Sequence, residues 1–161
     1  MDKNSLFIVA EAGINHNGDM NKAFELINEA KKNGANAIKF QTHIPEMEML
    51  NTSIKPGNSN KPLWEIISEA TLSYKQEIEI KRYCDEIGIT FFSTPFSREG
   101  ADRLLELDIP YFKIGSGECN NFPLIEHISK FGKPMILSTG MNTLETIKKS
   151  VDIILSNNCE L

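Results

Sequence analysis

Lys39 and Lys113 each interrupt an apolar run, Ala-Ile-Lys-Phe-Gln and Tyr-Phe-Lys-Ile-Gly. If these runs are strands, alternation puts Lys39 and Gln41 on one face and Ile38 and Phe40 on the other, and sets Lys113 and Gly115 against Phe112 and Ile114. With the apolar faces turned to a helix layer, both ammonium groups point into a common hollow. Two lysines there repel one another and lose hydration, so an anion must compensate them. The alternative is a structural ion pair with Glu11 or Glu118, which would cover one lysine and leave the other. Thr94, Ser116 and Ser138 add neutral donors, and Gly115 and Gly117 let backbone N–H groups approach closely, a set that suits a phosphate. The residues therefore describe an enzyme half-site for a small phosphorylated, carboxylated anion, with Glu11 and Glu118 as acid–base or hydroxyl-binding groups.

Other reactive types carry less. His16, in Asn-His-Asn-Gly, is either a polar turn residue or a catalytic imidazole, and His43 follows Gln41 by two and could face the same hollow. His127 falls mid-helix, where solvation or packing explains it. No histidine pair has the spacing of a zinc helix motif. Cys119 beside Glu118 reads as a small hydrophobe rather than a nucleophile. Ser97, ahead of Arg98-Glu99-Gly100, reads as a helix cap. Trp64 heads the apolar run Leu63–Ile67 and is expected in the core.

The elements that must position these groups alternate. Short runs at Phe7–Ala10, Ala37–Phe40, Ile89–Phe92, Tyr111–Ile114 and Met135–Leu137 are near-continuously apolar, as parallel strands covered on both faces are. Between them, Ala23, Leu26, Ile27 and Ala30 share a helical stripe. So do Ile80, Cys84 and Ile87, then Leu104 and Leu105, then Leu124, Ile125 and Ile128, and last Leu144, Ile147, Val151, Ile154 and Leu155. Ser73 with Gln76, and Asn142 with Glu145, fit N-caps and their N3 partners. Gly34 and Gly88 sit where helices should stop. The connection from Thr42 to about Lys61 holds Pro45, Pro56 and Gly57 without a helical period, and a long loop after a strand is commonly functional. The pattern is about five βα units, which fits an open doubly wound sheet or part of a (β/α)8 barrel. The first βα turn, EAGINHNG, lacks the GxGxxG spacing of a dinucleotide site. In either fold the strand-end polar groups fall where ligands bind.

The chain has 161 residues, 40% hydrophobic and 24% charged, with a formal charge of −5. That is one globular domain, neither disordered nor coiled coil. The negative balance argues against a non-specific nucleic-acid partner. No apolar run approaches a membrane span, and the first residues do not read as a signal peptide. Three scattered cysteines make neither a metal motif nor a disulfide framework, so a reducing cytoplasm is expected.

The segments EAGINHNG (11–18), KFQTHIPEMEM (39–49), FFSTPFSREGADRL (91–104), YFKIGSGECNNFPLIEHISKFGKP (111–134) and ILSTGMN (136–142) resemble bacterial N-acetylneuraminate (sialic acid) synthases, whose relatives make legionaminic and pseudaminic acids. The resemblance implies a (β/α)8 TIM-type barrel, present here as about five βα units, with residues 1–161 as its N-terminal part. It implies that the remaining barrel units and an antifreeze-like domain would lie outside these 161 residues. It implies condensation of phosphoenolpyruvate (PEP) with N-acetylmannosamine, with Mn²⁺ or Mg²⁺ as cofactor and a homodimer as the assembly. It places PEP on Lys39, Thr94, Lys113, Ser116 and Ser138, the sugar on Asn58 and Glu118, and Glu11 and Gln41 at the catalytic centre beside the metal and its water. The family's histidine metal ligands would lie beyond Leu161. The 161-residue chain alone is accordingly expected to be an incompetent synthase that binds metal poorly. Another phosphate-binding barrel aldolase, with Lys39 or Lys113 as Schiff-base lysine, and a non-enzymatic fragment that pairs with a missing half, remain open.

Overall fold

The computed structural model describes residues 6–57, 59–157 and 159–161. The chain divides between Phe91 and Phe92 into two units. Both are built from parallel strand pairs and helices, so the protein is α/β.

In the first unit, β1 (Val9–Gly13), β2 (Ala37–Thr42) and β3 (Thr90–Pro95) form a sheet in the order β1-β2-β3. β3 begins here and carries the chain into the second unit. β1 and β2 are parallel, with Val9 opposite Ala37 and Glu11 opposite Lys39, and the register slips between Glu11 and Gly13. The ladder moves the expected boundaries of all three strands. β1 starts later and includes Glu11, while β2 and β3 run on through Thr42 and Pro95. A hydrophobic pattern stops at the last apolar side chain, whereas backbone pairing takes in polar residues equally well.

α1 (Met20–Lys32) buries Ala23 and Ile27 and packs on α4 (Tyr74–Ile87), which buries Glu77, Ile80 and Cys84. The Phe24 and Tyr83 rings meet edge to face at 4.9 Å, and Tyr83 Oη donates to Asn28 Oδ1 at 2.7 Å. Ser73 and Gln76 form the expected capping box, and Gly88 closes α4 in the left-handed region at φ 72°. The connection after β2 is not without helix: Pro45 starts a single turn, α2 (Pro45–Glu48), where a proline's missing N–H costs nothing. α3 (Leu63–Ala70) follows and buries Ile67 and Ala70, while Trp64 is only half-buried. Gly18 is required. It sits at φ +75°, and a Cβ there would stand 2.4 Å from the Glu69 carbonyl oxygen.

The second unit holds α5 (Arg98–Glu106), β4 (Phe112–Ile114), a 3-10 turn (Ser116–Glu118), α6 (Phe122–Ser129), β5 (Met135–Leu137) and α7 (Leu144–Ser156). β4 and β5 are parallel, with Lys113 opposite Ile136 and Ile114 opposite Leu137. α6 packs on α5 and on α7 and buries Leu124, Ile125 and Ile128. Ser97 caps α5 through the Gly100 N–H. The cap of α7 is Thr143, which accepts from the Thr146 N–H, and not Asn142. The Asn142 amide is used elsewhere, as described below. Among the described residues no helix is long and apolar enough to cross a membrane.

Candidate functional site

The sequence-derived site residues fall into two groups, one in each unit.

In the first unit, the β1–β2 register sets Glu11 beside Lys39 on neighbouring strands. The Lys39 ammonium lies 2.6 Å from Glu11 Oε2; the lysine side chain is 9% exposed and the carboxylate 53%. Of the two readings of Lys39, the ion pair with Glu11 is the one seen. Glu11 compensates Lys39 from within, as a cross-strand pair of opposite charge does. Gln41 shares that face, as alternation requires. A Cβ on Gly13 would lie 3.4 Å from Glu11 Oε1 and 3.8 Å from Gln41 Nε2.

Phe40 projects to the other face, among His16 (5.7 Å between ring centroids) and Phe91 (5.8 Å). His16 is therefore neither a solvated turn residue nor a companion of Lys39. It is fully buried, its Nδ1 accepts the Gly18 N–H at 3.1 Å, and its Nε2 meets no hydrogen-bond partner among the described residues. Burial first, and the neighbouring His43 second, hold its pKa below the ordinary histidine value.

His43 is buried too, between Glu48 Oε1 at 2.6 Å and Gln41 Oε1 at 3.1 Å. Sequence reasoning missed Glu48. Its only signal was an acidic residue five places after His43, in a stretch without periodicity. It also missed Glu77, a buried carboxylate on α4 that accepts the Thr42 hydroxyl at 2.7 Å. Asn58, the sugar-contact candidate, lies outside the described residues.

The second unit assembles its candidates around the ends of β4 and β5. The Ile114 carbonyl accepts from the Lys113 ammonium at 2.8 Å and from the Ser138 N–H at 3.0 Å, which draws Lys113 and Ser138 to one point. Thr94, at the end of β3 and 2% exposed, has its methyl 3.7 Å from where a Gly115 Cβ would be. A Cβ on Gly140 would find Ser116 Oγ at 3.9 Å. Asn142 Nδ2 ties these loops, donating to the Ser116 carbonyl at 2.8 Å and the Gly140 carbonyl at 2.7 Å. Lys113 and Ser138 thus meet at one carbonyl, Thr94 borders Gly115, and Ser116 is tied to the Gly140 loop by a residue that sequence reading had spent as a cap. Glu118 follows in the 3-10 turn, and its Oε2 accepts from Asn121 Nδ2 at 2.7 Å. Gly117 has open space where a Cβ would go, so the protein's own packing does not demand a glycine there.

The remaining candidates are structural. His127 pairs with Asp102 at 2.7 Å and stands edge-on to Phe131 at 5.0 Å. Cys84, Cys119 and Cys159 are buried, and burial pushes the Cys84 thiol up to about 12. Among the described residues no three His, Cys, Asp or Glu side chains come together as a metal-binding group. These donors do not by themselves fit the divalent cation that the resemblance implies.

Parallel strands whose ends gather lysine, hydroxyl, amide and carboxylate groups define an α/β protein with a polar strand-end site. The particular family follows from comparison: the NeuB family model matches residues 26–161, and this chain belongs to that family. The N-acetylneuraminate-9-phosphate synthase of Homo sapiens is 36% identical over 153 residues, covering 92% of this chain and 43% of the human protein. The N,N'-diacetyllegionaminic acid synthase of Legionella pneumophila is 35% identical over 155 residues, covering 92% and 43%. The crystal structure of a sialic acid synthetase from Leptospira borgpetersenii in complex with citrate superimposes with a TM-score of 0.85 at 33% identity, covering 97% of this chain and 52% of that one. The chain spans less than half the length of these curated relatives.

Proposed function

We propose that this chain is the N-terminal barrel portion of a synthase that condenses PEP with N-acetylmannosamine to give N-acetylneuraminate and phosphate. The observation that carries the reading is that the Lys113 ammonium and the Ser138 backbone meet on the Ile114 carbonyl, with Thr94 and Ser116 on the adjoining loops. An ammonium and three hydroxyls are the donor set a phosphate with an adjacent carboxylate would use. The Leptospira relative was solved with citrate, a small polyanion, which supports the same class of ligand.

In the proposed reaction, PEP C3 attacks the open-chain sugar aldehyde and forms the new carbon–carbon bond. Water then adds at C2, and the C2–O bond to phosphate breaks. One water is consumed and one phosphate released, and no electrons are exchanged with a third reagent. Lys113, Lys39 and the hydroxyls hold the charge of PEP. Glu11 takes the proton from the attacking water, a role its half-exposed carboxylate beside Lys39 can fill. Gln41 orients that water, and Glu118 and Asn58 contact the sugar. The divalent cation, the closed eight-unit barrel and the dimer belong to the same proposal.

The test is phosphate release by the whole protein with PEP, N-acetylmannosamine and Mn²⁺, each omitted in turn. Dependence on all three supports the reading; release without the sugar, or none with any amino sugar, overturns it. The Legionella relative favours a second reading, a related nonulosonic acid. Under it, a diacetamido sugar outcompetes N-acetylmannosamine in the same assay.

A further inference from the structure

The proposed reaction assigns no role to Asn142, in the loop after β5. β4 and β5 pair at three positions, from Phe112 with Met135 to Ile114 with Leu137, and the Ser138 N–H adds one more bond, to the Ile114 carbonyl. Ser116 and Gly140 lie past that last rung. There the Asn142 side chain ties the two loops. Its Nδ2 donates to the Ser116 carbonyl at 2.8 Å and to the Gly140 carbonyl at 2.7 Å. Both acceptors are backbone carbonyls, which neither donate nor titrate, so they fix the direction of the amide by themselves. The Ser116 side chain stands at the same place: a Cβ on Gly140 would lie 3.7 Å from Ser116 Cβ and 3.9 Å from its Oγ.

Helix capping does not explain the contact, because Thr143 caps α7. The backbone beside it is strained. Met141, between Gly140 and Asn142, sits at φ 63°, a left-handed conformation that a residue with a Cβ rarely adopts. Met141 is also 91% exposed, so its side chain gains little from packing to offset that cost. Such a conformation persists where the surrounding contacts impose it, and the Asn142 amide is one that closes on the turn itself. We propose that Asn142 is a positioning residue: its amide locks the loop after β4 to the loop after β5 and so sets the spacing between Ser116 and Ser138. A phosphate bound by several hydroxyls at once needs them at fixed separation, since a shift of about 1 Å takes a hydrogen bond out of range. The proposal rests on the reading of Ser116 and Ser138 as PEP donors, but the tie between the loops does not.

The test is made in the whole protein. Asn142→Ala is expected to raise KM for PEP about tenfold, with kcat and KM for the amino sugar each changed less than about threefold. Asn142→Asp keeps the size but sets a carboxylate oxygen against two carbonyls, and should raise KM for PEP at least as much. Backbone amide NMR should show the Ser116 and Ser138 resonances moved in both variants. An unchanged KM for PEP overturns the proposal, and so does an equal rise in both KM values, which is what general loosening would give. Met141→Gly accepts the positive φ freely and should leave KM for PEP within about twofold. A tenfold rise there would move the role from the Asn142 amide to the Met141 side chain and overturn the proposal. If the wild-type protein neither binds nor consumes PEP, the synthase reading fails alone. The loop tie is then decided by the Ser116 and Ser138 resonances: moved in Asn142→Ala, it stands; unmoved, it falls. Should Asn142→Ala not fold, Asn142→Asp supplies both measurements.

Discussion

The two groups of candidate residues solve the same electrostatic problem differently. In the first unit, acidic side chains find partners within the unit: Glu11 on Lys39 and Glu48 on His43, with Gln41 bonded to the His43 ring. In the second, the lysine and its hydroxyl neighbours are held through backbone carbonyls and one asparagine. A region whose charges already have partners is preorganised and tolerates little change. An ammonium, hydroxyls and carbonyl-anchored loops together are a donor set that suits an anion. The lesson is that two lysines with the same sequence signature can be anchored differently, one on a carboxylate and one on a backbone carbonyl.

The comparison breaks most readily at Lys113. Lys113→Met in the whole protein is expected to lower kcat/KM for PEP about 100-fold, roughly 3 kcal/mol, as loss of a charge-assisted contact would. A larger loss for Lys39→Met than for Lys113→Met would reverse the assignment. Gly18→Ala probes the tight packing of the first unit. It should cost about 2 kcal/mol in urea unfolding because it adds a clash with the Glu69 carbonyl at positive φ. Gly117→Ala in the second unit, meeting open space, should shift stability by less than about 0.5 kcal/mol. Thr94→Val and Ser138→Ala should each weaken PEP use by about fivefold, near 1 kcal/mol, with little effect on folding.

The smallest effect is a pH dependence. His16 has a folded pKa below its unfolded value, so the unfolded chain binds the extra proton. Its contribution to stability is complete above about pH 6.5 and is lost as pH falls through that value toward the lower folded pKa. The urea midpoint should drop across this window, and His16→Asn should flatten the drop. An unchanged slope in that variant would show that His16 is not the titrating group.

Much of this was legible in the residues. Strand centres, helix stripes, the Ser73–Gln76 capping box and the candidates Lys113, Thr94, Ser116 and Ser138 follow from periodicity and from polar residues at strand ends. The boundaries did not, because backbone pairing extends β2 and β3 through Gln41, Thr42 and Thr94, which a hydrophobic pattern counts as loop. Asn142 was misread for a different reason. Asparagine before a helix is a good cap, and only the fold shows its amide turned back to the Ser116 carbonyl.

Local chemistry written in the chain determined that strands and helices alternate, that lysines interrupt two apolar strands, and which family the motifs resemble. Tertiary structure alone decided which partner each buried carboxylate meets. The Glu11–Lys39 pair depends on the register between β1 and β2, and the Glu48–His43 pair on where a single helical turn folds back. Charge pairing depends on distances of a few ångströms between segments, and nothing in the spacing of residues along a chain carries that information.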